Sequence, residues 1–134
     1  MTNDSSPTID VDAVVVGAGF GGIYAVHKLR ELGLKVKLFE RGSDIGGTWY
    51  WNRYPGARCD APSMQYSYQF SEELQQQWKW SETYSTQEEI LKYLDHVVER
   101  FSLRSAMQFD TSVESATYDD KANVWTVTTD KGDV

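Results

Sequence analysis

Between Val11 and Phe39 the hydrophobic positions change period twice. Residues 11–16, VDAVVV, form a short, nearly continuous apolar run that stops at a glycine, the pattern of a strand buried on both faces. From 20 to 32 the apolar residues Ile23, Val26, Leu29 and Leu32 recur at helical spacing, with Lys28, Arg30 and Glu31 turned outward. Gly33 is placed to end that helix. Residues 36–39, VKLF, read as a second strand. Strand, glycine turn, helix and strand make a βαβ unit, whose crossover is right-handed and whose strands are parallel.

Residues 40–68 are long, rich in glycine and aromatics, and without a clear period. A loop of that length inside a compact domain is usually functional. Ser71 can cap a short helix through Gln77, with Glu72 and Glu73 in its first turn. Ser85 and Glu88 have capping-box spacing, and behind them Ile90, Leu91, Leu94, Val97, Val98 and Phe101 form an apolar stripe. Residues 107–113 read as a third strand. Residues 114–118 and 124–129 alternate around a turn-rich spacer and read as a hairpin. Residues 132–134 read as the next turn, with a further strand about to start. The polar stretch 1–9 reads as a loose tail, and residues 10–134 as one domain without repeats or internal linkers.

Composition narrows the class. The chain has 134 residues, 40% hydrophobic and 25% charged, as in a soluble globular domain with a modest core. A formal net charge of -7 argues against nucleic acid or an anionic membrane as partner. No apolar run reaches the roughly 20 residues that cross a bilayer, and residues 1–8 do not resemble a signal peptide. The single cysteine, Cys59, cannot form an internal disulfide, which fits a cytoplasmic location. No His neighbours it, so it reads as packing rather than as a nucleophile. His27 and His96 have no second ligand in range, so no metal site is expected.

Gly17, Gly19 and Gly22 form GxGxxG. Alone the pattern is weak; here it leaves a strand and opens a helix, which makes it a dinucleotide fingerprint. Gly17 allows the tight turn, Gly19 lets a pyrophosphate approach the backbone, and Gly22 lets helix and strand pack closely. The helix N-terminus offers free N–H groups and a positive dipole to phosphate. Glu40, at the end of the second strand, stands where an acid would grip the adenosine ribose and repel a 2′-phosphate. These features leave FAD and NAD both open.

The segment 46–60, GGTWYWNRYPGARCD, is more specific. Paired glycines permit positive φ and close approach to a ligand. The rings offer flat apolar surface to a planar group, although core packing would also account for some of them. Asp60 is expected to sit among these rings, where a carboxylate needs a cation or hydrogen-bond donors.

This run, preceded by VVVGAGFGG and followed by Tyr66, Tyr68 and Phe70, resembles the Baeyer–Villiger flavoprotein monooxygenases of the phenylacetone, cyclohexanone and steroid monooxygenase group. The resemblance covers the chain from about Asp10 onward. It implies an α/β, Rossmann-like FAD-binding domain of the two-dinucleotide-binding-domain flavoprotein type, with a parallel sheet plus a β-hairpin or meander. It implies FAD held by Gly17, Gly19, Phe20, Gly22, Glu40, Arg41, Gly47, Thr48, Trp49, Asp60, Tyr66 and Val113. The implied reaction uses NADPH and O2 to convert a ketone into an ester or lactone. Asp60 is the one implied catalytic residue, acting by holding an active-site arginine that this chain does not supply. The second glycine fingerprint for NADPH and the strand that returns beside the first are not in the sequence, so the domain is expected to be truncated and inactive alone. One edge of strand 11–16 is then expected to be open to self-association. A module that binds FAD or adenine nucleotide without turnover, and a self-associating piece without ligand, are the alternatives. Related monooxygenases that oxidise nitrogen or sulfur share the glycine turn and the acid; the Trp49–Asp60 run favours ketone chemistry over theirs.

Overall fold

The structure, a computed structural model, describes residues 8–134. Most of the expected 1–9 tail lies outside the described residues. The chain forms β1 (Ala13–Val16), α1 (Phe20–Glu31), β2 (Val36–Phe39), α2 (Thr48–Trp51), α3 (Glu72–Gln77), α4 (Gln87–Arg100), a 3-10 turn (Arg104–Ala106), β3 (Met107–Gln108), β4 (Val113–Asp119), β5 (Val124–Thr129) and β6 (Gly132–Asp133). Two three-stranded sheets result: a parallel one in the order β1-β2-β3 and an antiparallel meander β4-β5-β6. This is the Rossmann-like α/β architecture that the βαβ pattern predicts.

The crossover helix α1 ends as its sequence dictates. Gly33 takes φ 82° and donates to the Arg30 carbonyl, and Leu34 N–H donates to the Leu29 carbonyl, which together close a Schellman motif. Ile23 and Val26 are fully buried, whereas Leu32 lies at the C-cap and is 65% exposed, outside the apolar face that its spacing suggested. On β2, Val36 and Leu38 are buried and share one face by the period of two. Ile90, Leu94, Val97 and Val98 of α4 complete one continuous core with them. Tyr93, absent from the expected stripe, is 2% exposed and belongs to that core.

Three expectations change. β1 is not buried on both faces, Val16 being 67% exposed, although its free edge, paired only with β2, is the open edge expected. The third strand is shorter than 107–113, because Asp110 adopts φ 51° and turns the chain before β4 starts. The N-cap of α4 is Thr86, not Ser85: Thr86 Oγ1 accepts from Glu89 N–H, while Glu89's carboxylate turns to Ser81. The cause is tertiary. The Ser85 carbonyl accepts from Cys59 N–H within a short antiparallel bridge between Arg58 and Thr86, and this extended pairing moves the helix start one residue on. By contrast α3 begins as expected, with Ser71 Oγ accepting from Leu74 N–H. No helix among the described residues is long and apolar enough to cross a membrane.

Parallel strands are normally flanked by neighbours, and an unpaired edge carrying valines is a template for another strand. The chain is therefore expected to self-associate through β1, with an apparent mass that rises with concentration in size-exclusion chromatography. Val16→Lys, which places a charge on that edge, should return it to monomer. A monodisperse wild-type monomer that unfolds cooperatively on heating would contradict this.

Candidate dinucleotide site

The glycine turn between β1 and α1 is built by backbone contact. Gly17 takes φ 95°, and its N–H donates to the Phe39 carbonyl at the end of β2. A Cβ added at Gly22 would lie 1.8 Å from the Gly17 carbonyl oxygen, so the first turn of α1 closes on the loop only with glycine there. α1 starts at Phe20 with Gly19 as N-cap, and no side chain caps it. Its first-turn N–H groups are thus orphan donors of the kind that bind anions.

Glu40 joins this turn to β2. It is 5% exposed, and each carboxylate oxygen accepts a backbone bond: Oε1 from Ala18 N–H at 3.0 Å and Oε2 from Gly42 N–H at 2.6 Å. Glu40 and the glycine turn are therefore adjacent, as a dinucleotide fold requires. The carboxylate is fixed by the backbone on both oxygens, a feature the spacing of residues did not disclose. Gly42, two residues on, was missed at the sequence level, though an acid-x-Gly spacing at a strand end is a usable signal. A Cβ there would meet the Tyr50 ring at 2.6 Å.

The paired glycines of the long loop come back onto the turn. Gly46 and Gly47 have φ 133° and 57°, Gly46 N–H donates to the Ala18 carbonyl, and a Cβ at Gly47 would stand 2.8 Å from Gly19 Cα. Two chain segments thus meet with no side chain between them. Thr48 opens α2 beside them and is exposed, with Asn52 Nδ2 donating to its carbonyl and hydroxyl. The Trp49 indole N–H donates to the Tyr66 hydroxyl at 3.0 Å, and the Tyr66 ring meets Phe20 edge-on with centroids 4.9 Å apart. Tyr68 donates its O–H to the Phe20 carbonyl, and its backbone N–H donates to the Tyr93 hydroxyl. Burial pushes the Tyr68 phenol well above the usual tyrosine range, with Tyr93 and Tyr66 adding to the shift; burial also raises Tyr93.

The structure brings Gly17, Gly19, Phe20, Gly22, Glu40, Gly47, Thr48, Trp49 and Tyr66 into one neighbourhood. Arg41 is exposed and lies over the Trp51 ring at 5.2 Å. Val113 lines a groove of about 720 Å³ with Val14, Val16 and Val127, between the free edge of β1 and the meander. Asp60 is exposed rather than buried. Along 57–60 burial alternates, Ala57 and Cys59 in and Arg58 and Asp60 out, because this stretch is extended against 85–86. Arg58 bonds Glu82 and the Tyr84 carbonyl, and Arg53 bonds the Tyr50 carbonyl, so neither arginine is directed to Asp60. A separate aromatic cavity of about 690 Å³, lined by Tyr68, Leu74, Trp78 and Trp80, contains none of the expected site residues.

Gly22→Ala should cost about 3 kcal/mol or more, because carbonyl and methyl cannot share that space. Gly19→Ala, whose Cβ would lie 3.4 Å from Gly47, should cost far less; denaturant titration of the two variants checks the order. Tyr68 supplies a pH prediction. Its pKa is raised on folding, so the neutral phenol is the stabilised form. That stability is complete below about pH 10 and declines as pH rises past the unfolded pKa, by up to about 1.4 kcal/mol per pH unit. Thermal unfolding between neutral pH and pH 11 should show the decline, and Tyr68→Phe should flatten it.

A family model described as an NAD(P)-binding Rossmann-like domain matches residues 15–79. A Baeyer–Villiger monooxygenase of Pseudooceanicola batsensis is 50% identical over 98% of this chain, which spans 24% of that enzyme. A phenazine N-monooxygenase of Lysobacter antibioticus is 49% identical over 92% of the chain and 23% of its own length. The solved structure of an oxidized steroid monooxygenase bound to NADP superposes with a TM-score of 0.90 at 59% identity, covering 91% of this chain and 23% of that one. The chain spans about a quarter of the length of these relatives. It is homologous, over nearly all of its own length, to a segment of the Baeyer–Villiger, cyclohexanone and steroid monooxygenases.

Proposed function

We propose that this chain is the FAD-binding part of an NADPH- and O2-dependent monooxygenase that converts ketones to esters or lactones. The observation that carries the reading is Glu40 bound to Ala18 N–H beneath an uncapped α1 N-terminus. The residues present fit a dinucleotide. The N–H groups of the first turn of α1 would hold the phosphates, Gly19 and Gly47 present bare backbone, and the Glu40 carboxylate keeps lone pairs that ribose hydroxyls would use. Its negative charge disfavours a 2′-phosphate and so selects FAD or NAD over NADP at this position. Trp49, Tyr66 and Phe20 give apolar ring surface beside the turn. FAD, when bound, would supply the redox and oxygen-activating chemistry, with NADPH as reductant bound by parts of the parent enzyme outside this chain.

Within that reading Asp60 has a positioning role. It is exposed and free of hydrogen bonds among the described residues, so its carboxylate is available to an arginine from elsewhere in the parent enzyme. A cation held there would stabilise a developing oxyanion. The nitrogen-oxidising relative is almost as similar as the Baeyer–Villiger one, so overall identity in this segment does not divide the two chemistries. The choice of ketones rests on the Trp49–Asp60 run. A binding module without turnover is the second reading, favoured by the quarter-length coverage.

Purified chain mixed with FAD should show a perturbed flavin absorbance band and quenched flavin fluorescence. Glu40→Gln cannot accept at both oxygens from Ala18 and Gly42, because its amide nitrogen would face an N–H. FAD binding should weaken about ten- to a hundred-fold in that variant. Free FAD spectra at every protein concentration would contradict the reading, and a preference for NAD over FAD would correct the cofactor.

A further inference from the structure

We propose that Gln87 is a positioning residue for the dinucleotide cradle, holding both feet of the loop that carries Gly47 onto Gly19. This rests on the FAD reading above. Gln87 is the first residue of α4 and is 4% exposed, unusual burial for a glutamine. Its side-chain Nε2 donates to the Trp49 carbonyl at 2.5 Å, and its backbone N–H donates to the Ala57 carbonyl at 3.0 Å. The second bond uses one of the orphan donors of the α4 N-terminus. One residue therefore grips the chain just before and just after the stretch 50–56.

Tyr50 is held by Ser43 N–H on its hydroxyl and by its ring against Gly42, but the rest of that stretch has little cover. Residues 51–56 are all exposed, with Trp51 at 52% and Tyr54 at 65%. The position of 53–56 therefore follows from where 49–52 and Ala57 are held. The Trp49 foot is the functional one. Trp49 N–H donates to Gly46, its indole bonds Tyr66, and the Tyr66 ring rests on Phe20, the first residue of α1. Gly47, two residues earlier, closes against Gly19 with no slack for even a methyl group. The Gln87 amide thus sets the height of the Gly46–Gly47 backbone over the α1 N-terminus, from a helix outside the glycine turn. A glutamine serves because the site needs an uncharged N–H donor on a side chain long enough to cross from α4 to α2; a carboxylate of the same length would face the Trp49 carbonyl with like partial charge.

The test uses the full chain and two variants, Gln87→Met and Gln87→Glu, which keep length and lose the donor. Two quantities are read: amide hydrogen exchange across 47–57 without cofactor, and FAD affinity from flavin fluorescence. Both variants should speed exchange in the loop at least about tenfold and weaken FAD about tenfold. Ser71→Ala, which removes the α3 cap elsewhere, should lower the unfolding temperature and leave FAD affinity unchanged, separating positioning from general stability. Where one variant fails to fold, the other carries the comparison. Unchanged loop exchange, or FAD affinity equal to wild type, overturns the proposal while leaving the FAD reading intact. A wild-type chain that does not bind FAD overturns the reading beneath it, and the titration shows this before any variant is made.

Discussion

The Glu40 carboxylate is the constraint on which the rest of the site depends. It sits at the tip of β2, buried, and spends one oxygen on Ala18 and the other on Gly42. A buried carboxylate without such donors would be costly; here two backbone N–H groups compensate it. The result is mechanical as well as electrostatic. The glycine turn after β1 cannot drift from the end of β2, because a side chain of one is bonded to the backbone of the other. The main-chain bonds from Gly17 to Phe39 and from Thr111 to the Glu40 carbonyl extend the same tie toward β1 on one side and β3 on the other.

From that anchor the site grows by contacts that admit no side chain. Gly22 meets Gly17, and Gly47 meets Gly19. Such backbone-to-backbone approaches leave the α1 N-terminus bare, with its first-turn N–H groups free of any side-chain cap. The aromatic residues then close the site laterally through specific geometry rather than bulk: an indole N–H on a phenol, a ring edge on a ring face, and a phenol on the carbonyl of Phe20. Long-range bonds from α4 reach into this shell, so the helix farthest along the sequence from the glycine turn takes part in setting its shape.

Local pattern was enough wherever an element's hydrogen bonds stay within it or run to its neighbour in sequence. The αβ crossover, the Gly33 stop, the Ser71 cap and β5 were all legible because period, cap and turn chemistry agree there. The pattern misled where a distant segment competes. Ser85 has the right spacing to cap α4 but is drawn into pairing with Cys59, and Thr86 takes its place. Asp60 lies in a ring-rich stretch, yet period-two alternation against 85–86 turns it outward. The run 11–16 has the composition of a strand buried on both faces, but only four of its residues form β1 and Val16 is exposed. Gln87 and Tyr93 carried no signal, since a polar residue at a helix start and a tyrosine beside an apolar stripe look alike whether buried or exposed.

The central claim, that the α1 N-terminus and Glu40 form one dinucleotide site, is tested most directly by two-dimensional amide NMR of the chain titrated with FAD. The largest shifts are expected at Ala18 to Gly22, at Glu40 to Gly42 and at Gly46 to Thr48, saturating together. Shifts confined to the cavity lined by Trp78 and Trp80, or no shifts at saturating FAD, would contradict it.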